Sequence, residues 1–484
     1  MSFDHSLLER ISDGVWEIPR HGGMRVPGRV YADDSLMKHI RRERALDQVV
    51  NVAHLPGIVG RSLAMPDIHW GYGFPIGGVA ATDPSEGGVI SPGGVGYDIN
   101  CGVRLLASSM ESPDVEPLVK DLVAALFSDV PSGVGSSGAI GKLSGRELES
   151  VMVRGAAWAV EKGYGGGSDP DRTEEGGALS GADPSTVSRR AAKRGLDQVG
   201  TLGSGNHFIE LGVVDEVFDE SAARAFGLER GHVTLMIHSG SRGLGYQVCD
   251  DYLDVMQGAM SKYGIEVPDR QLACAPVESR EGSDYLSAMA CAANYAWANR
   301  QVMMSLAVGA LERVMGESAA SMGLRLVYDV CHNIAKMESH FVEGGERRLC
   351  VHRKGATRAF ASGHADVPSV YRAVGQPVLV PGDMGRSSYV LVGTRKAMDE
   401  TFGSCCHGAG RVLSRKRARS EARGRNIASE LGERGVFVMA TGKGTLKEEM
   451  PQAYKDVANV VGAAESAGIA TRVARLRPMG VVKG

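Results

Sequence analysis

The sequence predicts a mixed α/β (α+β) fold, with central β-sheet layers flanked by helices and long loops. Short apolar, β-branched runs such as 232–237 and 324–330 read as buried strands. Other stretches show helical periodicity, above all 33–52 and 284–316. The chain has 65 glycines and only 6% aromatics, which implies many tight turns where backbone comes close to something else. Its 484 residues suffice for two or three average domains, or for one large α/β domain with insertions.

The net charge of −3 provides no global field for nucleic acid, so any such contact needs local basic patches. The eight cysteines lack a regular spacing, and only Cys405 and Cys406 are adjacent. That fits a reduced, intracellular protein better than a disulfide-stapled one. The first ten residues hold no basic segment followed by an apolar one. No stretch is long enough to span a membrane, so a cytoplasmic protein with no membrane partner is expected.

In chain order, Trp16-Glu-Ile-Pro reads as a short strand. In 33–52, Leu36, Ile40, Leu46, Val49 and Val50 form the apolar stripe, with Arg41, Arg42 and Arg44 outside it. The segment 55–78 is loop-rich. Its Asp67 and His69 read slightly better as a turn carboxylate and a hydrogen-bonded imidazole than as catalytic groups. Segments 113–127 and 144–162 read as helices, 163–184 as a surface loop and 185–196 as a short basic helix. A Gly-rich turn at 200–205 then leads into a strand. It is no P-loop, since Lys-Ser/Thr does not follow. On that strand Asn206, Phe208 and Glu210 would share one face and His207 the other. The methionines of 284–316 suit core packing. Segment 351–358 is compactly basic, and 378–392 reads as strand, turn, strand.

The turn Gly403–Arg411 opens a basic helix over 411–430 that carries Arg415, Lys416, Arg417, Arg419, Arg423 and Arg425. A Gly-rich loop entering a helix offers free N–H groups to phosphate, so RNA or phosphate contact is weighted above a merely solvated face. The tail ends in an apolar, strand-like run with Lys483. Such tails normally fray, so a functional Lys483 requires a docked terminus.

The chemistry centres on Gly96-Tyr97-Asp98-Ile99-Asn100-Cys101-Gly102. A carboxylate and a thiolate three residues apart can hold one divalent cation or share two. Oxygen suits Mn²⁺ or Mg²⁺ and sulfur suits softer ions, which leaves the metal open. Alone the stretch is weak, because a lone Cys is usually a small buried hydrophobe and Asp beside Gly usually a turn. His207, His238 and His332 strengthen it: each lies beside a strand-like run, two of them at its C-terminal end, where α/β sheets build sites.

Several segments in order resemble the signatures of the RtcB RNA-splicing ligase family. They are Asp98-Ile-Asn-Cys101-Gly-Val-Arg, Gly205-Asn206-His207-Phe208-Ile-Glu210, His238-Ser-Gly-Ser-Arg, His332-Asn333, His352-Arg-Lys-Gly-Ala-Thr-Arg, Pro381-Gly-Asp-Met-Gly and Cys406-His407-Gly-Ala-Gly-Arg411. The likeness runs from about Gln48 to Gly484 and implies a single RtcB-like catalytic domain over 1–484. It implies a ligase that joins RNA 2′,3′-cyclic phosphate or 3′-phosphate ends to 5′-hydroxyl ends with GTP and Mn²⁺, in tRNA splicing or RNA repair. The family's metal ligands fall on Asp98, Cys101, His207, His238 and His332, with Cys101 bridging two ions. Its guanylylated histidine falls on His407. Its nucleotide contacts fall on Asn206, His207, Phe208, Ile209, Glu210, His332, Asn333, the turn Pro381, Gly382, Asp383 and Met384, then Ser388, His407, Gly408, Ala409, Gly410, Tyr454 and Lys483. RNA is the implied partner, and an archease-type protein is the candidate activator.

The residues suit that chemistry. An unmetallated imidazole can attack the α-phosphorus of GTP, and two nearby cations can neutralise the phosphates. Arg242, Lys354, Arg358 and Arg411 are candidates for holding RNA phosphates. Glu210 could accept from guanine N1–H and the 2-amino group, and Phe208 and Tyr454 could stack on the base. The Lys-X-Asp-Gly chemistry of classical ligases is absent, since the only Asp-Gly, Asp13-Gly14, follows Arg10-Ile11-Ser12. Asp383 and Phe360-Ala-Ser-Gly depart from the family pattern, and Asp383 sets a carboxylate near the nucleotide. The competing expectations are a metal-dependent phosphoesterase without a nucleotide carrier and a non-catalytic RNA-binding scaffold.

Overall fold

The computed structural model describes residues 3–484. Two large sheets organise it. One has seven strands, in the order Glu9–Ser12, Val15–Ile18, Gly28–Tyr31, Ile58–His69, Ile76–Thr82, Gly345–Lys354 and Asn333–Val342. The other runs Arg325–Cys331, Gly102–Glu111, His232–Ser239, Phe208–Val217, Ala470–Lys483, Ser388–Gly393 and Pro377–Val380, with Phe437–Ala440 paired alongside Ala470–Lys483. The fold is mixed α and β, as the alternation of periodicities predicts. The chain crosses from the second sheet to the first at one residue, His332, between the strands that end at Cys331 and begin at Asn333.

The second sheet is antiparallel along its ordered path. His238 and His332 lie at the C-terminal ends of their strands, as expected, but the edge they share also holds strand starts. In an antiparallel sheet, one strand's start lies beside its neighbour's end, so a single edge collects both.

The tail does not fray. Ala470–Lys483 is a central strand between Phe208–Val217 and Ser388–Gly393, and Lys483 pairs in register with Phe208. Among the described residues, no helix is long and apolar enough to cross a membrane.

Local punctuation divides several expected elements. Segment 33–52 forms two helices, Asp34–Ile40 and Ala45–Val52, and Arg41, Arg42 and Arg44 at the junction face solvent. Segment 144–162 breaks at Gly155, whose φ is +52°. A Cβ there would lie 2.0 Å from the Gly177 carbonyl oxygen, so only glycine fits. Segment 163–184 is not wholly superficial: Thr173 and Glu174 are buried, and Glu174 pairs with Lys336 at 2.5 Å. The basic helix expected over 411–430 is two short helices, Arg415–Glu421 and Ile427–Gly432, with Arg423 and Arg425 in the link.

Candidate active site

Strand register builds the site. Gly102 sits opposite both Cys331 and Ser239, and His238 sits opposite both Val103 and Phe208. Phe208 in turn faces Lys483. The starts of the 102–111 and 208–217 strands and the ends of three others therefore share one edge. Cys101, His207, His238, His332 and Lys483 all belong to that edge. His207 precedes its strand, and Asn206 lies in the turn before it. The two-residue alternation expected for 206–210 does not apply there, and Asn206, His207, Phe208 and Glu210 all line one cavity.

The loop that carries Asp98 and Cys101 is fixed from below. Asn100 adopts a positive φ of +50° and is fully buried. Arg300, on the long helix Arg280–Met315, donates to the Asn100 carbonyl at 2.8 Å, to the Asn100 Oδ1 at 2.9 Å and to the Ser239 carbonyl at 2.9 Å. Its charge is balanced by Asp329 at 2.7 Å, which also takes Arg104 at 2.7 Å. A buried, fully bonded ion cluster of this kind holds its partners in one geometry.

Above this base the donor atoms converge. Cys101 Sγ lies 3.4 Å from His207 Nε2 and 3.2 Å from His238 Nε2. His207 Nε2 is 2.8 Å from Asp98 Oδ2, and His238 Nε2 is 3.3 Å from His332 Nε2. They form two overlapping triads, Asp98–Cys101–His207 and Cys101–His238–His332, with Cys101 in both. Burial, above all, pushes His238 and His332 well below the usual imidazole range, so both are neutral, the form that binds metal. Burial, then the Asp98 charge, pushes the Cys101 thiol well up. Two neutral imidazoles face each other through Nε2, with their buried Nδ1 atoms unpartnered, a donor set that fits a divalent cation. The mixed oxygen, nitrogen and sulfur donors do not identify the ion.

His407 stands beside this cluster, its ring centroid 4.7 Å from that of His332. Its backbone N–H and Nδ1 both donate to Asp67 Oδ2, at 2.9 and 2.6 Å. Asp67 is therefore a partner of His407 and not a turn residue, and it lies near the end of the long strand Ile58–His69 instead of in a loop. His69 lines the cavity as a buried neutral imidazole, held down to about 3 chiefly by burial.

The cavity holds about 590 Å³, a volume suited to a small-molecule ligand. It is lined by Asn206, His207, Phe208, Glu210, His332, Asn333, Pro381 to Met384, His407 to Gly410, Tyr454 and Lys483, besides the triads. Two of the expected contacts differ. The Ile209 side chain packs in the core on the sheet's other face. Ser388 sits behind Glu210, its hydroxyl 3.5 Å from Oε1. Burial, then the Asp383 charge, pushes the Glu210 carboxyl up to about 8. Lys483, its ammonium 5.3 Å from the Phe208 ring centroid, is pushed down to about 8 by burial. Asp383 is not a bare anion: it pairs with Arg386, which also donates to the Tyr454 carbonyl at 3.0 Å.

The basic residues sort differently from expectation. Arg358 is buried and paired with Glu175 at 2.8 Å, so no phosphate can reach it. Arg411 is held by Glu449 at 3.0 Å, and Lys354 by the carbonyls of Tyr72 and Gly93. Along 415–430 four arginines pair within the protein, Arg415 with Glu449, Arg417 with Glu421, Arg419 with Glu448 and Arg425 with Glu430, while Lys416 and Arg423 are exposed and pair with no carboxylate among the described residues. On the helix Arg189–Gly195, by contrast, Arg189, Arg190, Lys193 and Arg194 are exposed, and among the described residues none pairs with a carboxylate. Arg194 lies over the Tyr246 ring at 5.8 Å. Tyr246 stacks on Tyr97 at 4.8 Å, and Tyr97 meets Tyr72 edge-on at 5.6 Å. All three tyrosines line the cavity.

The chain matches the family model described as tRNA-splicing ligase RtcB over residues 48–484. It is 56% identical over 480 residues to the tRNA-splicing ligase RtcB of Archaeoglobus fulgidus, with 99% of each chain covered. The protein of that name from Thermococcus kodakarensis is 55% identical over 478 residues, again with 99% of each covered. The one from Methanococcus maripaludis is 52% identical over 481 residues, covering 99% of this chain and 100% of that one.

Proposed function

Because the chain belongs to the RtcB family and is an RNA ligase, we propose that it joins RNA 3′-phosphate or 2′,3′-cyclic phosphate ends to 5′-hydroxyl ends through a guanylylated His407. The carrying observation is the geometry of that histidine. With Nδ1 committed to Asp67 at 2.6 Å, Nε2 is the ring nitrogen left free to act as nucleophile at the wall of the cavity. Nε2 attacks the α-phosphorus of GTP, a P–N bond forms, and pyrophosphate leaves. A 2′,3′-cyclic end is first opened by water, which breaks the P–O2′ bond and leaves a 3′-phosphate; an oxygen of the 3′-phosphate then takes the guanylyl group, which frees His407 and gives an RNA-3′-pp-5′-G end. The 5′-hydroxyl attacks the RNA phosphorus and GMP leaves.

Asp98, Cys101, His207, His238 and His332 would hold two Mn²⁺ ions, which supply charge neutralisation and alignment to the phosphates when bound. Phe208 and Tyr454 flank the base, and Glu210 reads its Watson–Crick edge. Asn206, Asn333, the Pro381–Met384 turn, Gly408 to Gly410 and Lys483 surround the rest of the nucleotide. Asp383, neutralised by Arg386, suits a ribose hydroxyl better than a phosphate. The unpaired cations of the 189–195 helix and the tyrosine ladder support an RNA path along that side of the cavity. An archease-type protein is the candidate activator.

Incubation with α-labelled GTP and Mn²⁺ tests this. An acid-labile adduct that His407→Ala abolishes is expected. Labelling that survives that substitution overturns the mechanism, and phosphate release from RNA ends without GTP favours a phosphoesterase.

A further inference from the structure

Lys455 is a buried cation that no step above uses. Its ammonium meets no carboxylate directly. It donates to the carbonyl of Pro66 at 3.2 Å and to that of Ile68, the two peptide oxygens that bracket Asp67. Its own backbone N–H donates to the Gly410 carbonyl at 2.9 Å. Gly410, at φ +72°, lies so close to the Asp67 carbonyl that a Cβ would come within 2.2 Å of it. Three chain segments thus lock together: the end of the 58–69 strand, the turn after His407, and the link after Tyr454. Neither Asp67 nor Lys455 lines the cavity, and His407 does.

We propose that Lys455 is a positioning residue for His407, acting through Asp67. The proposal rests on His407 being the guanylylated group. By clamping the carbonyls of Pro66 and Ile68, the residues before and after Asp67, the ammonium fixes the strand end so that Asp67 Oδ2 meets both the N–H and the Nδ1 of His407. With Oδ2 so held, Nδ1 of His407 stays engaged by Asp67 and Nε2 is left facing the cavity. Space filling alone does not explain a lysine here. An apolar side chain of equal length would avoid burying an ammonium, and the carbonyls of a strand end could be met by water or backbone donors.

The groups facing Lys455 are Asp67, Glu43, His69 and, beyond Asp67, His407. Burial pushes the Lys455 ammonium down to about 8, against the pull of Asp67 and Glu43. Below that pH the clamp is charged, and as pH rises through it the clamp discharges. Lys354 and Lys483 lie in a neighbouring range, so only differences between variants are informative.

The test compares full-length wild type, Lys455→Met and Lys455→Arg. Two quantities are read: the single-turnover rate of labelling by α-labelled GTP in the presence of Mn²⁺, and, on the metal-free protein because paramagnetic Mn²⁺ would broaden it away, the downfield proton resonance of His407 Nδ1–H, identified by its loss in His407→Ala. Lys455→Met should label about 10- to 100-fold more slowly at unchanged half-saturating GTP, with the resonance shifted upfield or lost. Lys455→Arg should recover most of the rate, and the alkaline limb of its pH profile should move to higher pH. A Lys455→Met protein with wild-type rate and resonance overturns the proposal. If Lys455→Met does not fold, coincident alkaline limbs for wild type and Lys455→Arg overturn it instead. The resonance decides the matter even if wild type shows no label on His407, an outcome that would remove the guanylylation reading by itself.

Discussion

Cys101 stands in both donor triads, and its removal should abolish both cation sites at once. Its sulfur lies 3.4 Å from His207 Nε2 and 3.2 Å from His238 Nε2, and no other residue belongs to the two groups. A ligand at one hundred times its Kd stabilises a folded protein by about 2.7 kcal/mol per site. For 484 residues the unfolding entropy is about 1 kcal/mol/K, from about 2.1 cal/mol/K per residue. Each site should therefore raise the melting temperature by about 3 °C, and two by about 5 °C. Scanning calorimetry with and without saturating Mn²⁺ measures this. Wild type should show the full shift, Cys101→Ala essentially none, and His238→Ala, which strikes one triad, about half. In the presence of chelator, Cys101→Ala should melt within about 2 °C of wild type, because only one small buried atom is lost. If Cys101→Ala keeps half the shift, the thiolate is not shared. If it keeps all of it, the convergent donors are not the cation site.

Glu210 and the basic helix yield two further expectations. The Glu210 carboxyl, pushed up to about 8, is protonated in the free protein at neutral pH. If it must ionise to accept from guanine, GTP binding releases a proton, and affinity rises with pH until it levels off above about 8. Calorimetry in buffers of different ionisation enthalpy measures that proton, and a buffer-independent heat would refute the contact. Glu210→Gln should also reduce the preference for GTP over ATP by about 10- to 100-fold, the range for losing one or two buried hydrogen bonds to a charged acceptor. Arg189→Ala, Lys193→Ala and Arg194→Ala together should lower the slope of log K against log salt for single-stranded RNA by about 2, at about 0.7 per phosphate contact. Arg417→Ala, whose partner is Glu421 at 2.8 Å, should leave that slope unchanged.

What could be read from the sequence depended on how local the cause was. Val233, Leu235 and Ile237 carry their own strand signal, and His238 follows in the same strand, so element and ligand were found together. His332 was legible for the same reason, although its place at the crossing between two sheets was not. The breaks at Gly155 and after Glu421 were missed because their causes lie elsewhere: a carbonyl at Gly177 in one case, and short capped helices packed on another part of the chain in the other. Asp67 was read as a turn residue because its partner, His407, is 340 positions away. Nothing around Met65-Pro66-Asp67 signals a strand that ends beneath a distant imidazole.

The misjudged face of His207 shows where pattern reasoning stops. Alternation holds only inside a strand, and this strand begins one residue later, at Phe208. In the preceding turn the backbone rotates freely enough to bring His207 onto the side of its neighbours, and the Leu202 carbonyl, 2.9 Å from Nδ1, fixes the ring there. The basic residues teach the complementary lesson. A count of positive charges along 411–430 ranks that stretch first, but attraction for phosphate depends on the charge left after internal pairing. Glu421, Glu430, Glu448 and Glu449 pair with four of its cations and leave only Lys416 and Arg423 without partners, whereas all four cations on the 189–195 helix face solvent without partners among the described residues. On the proposed RNA path from the 189–195 side, Arg194, Tyr246 and Tyr97 lead in turn to the loop that carries Asp98, so path and chemistry would meet at one loop.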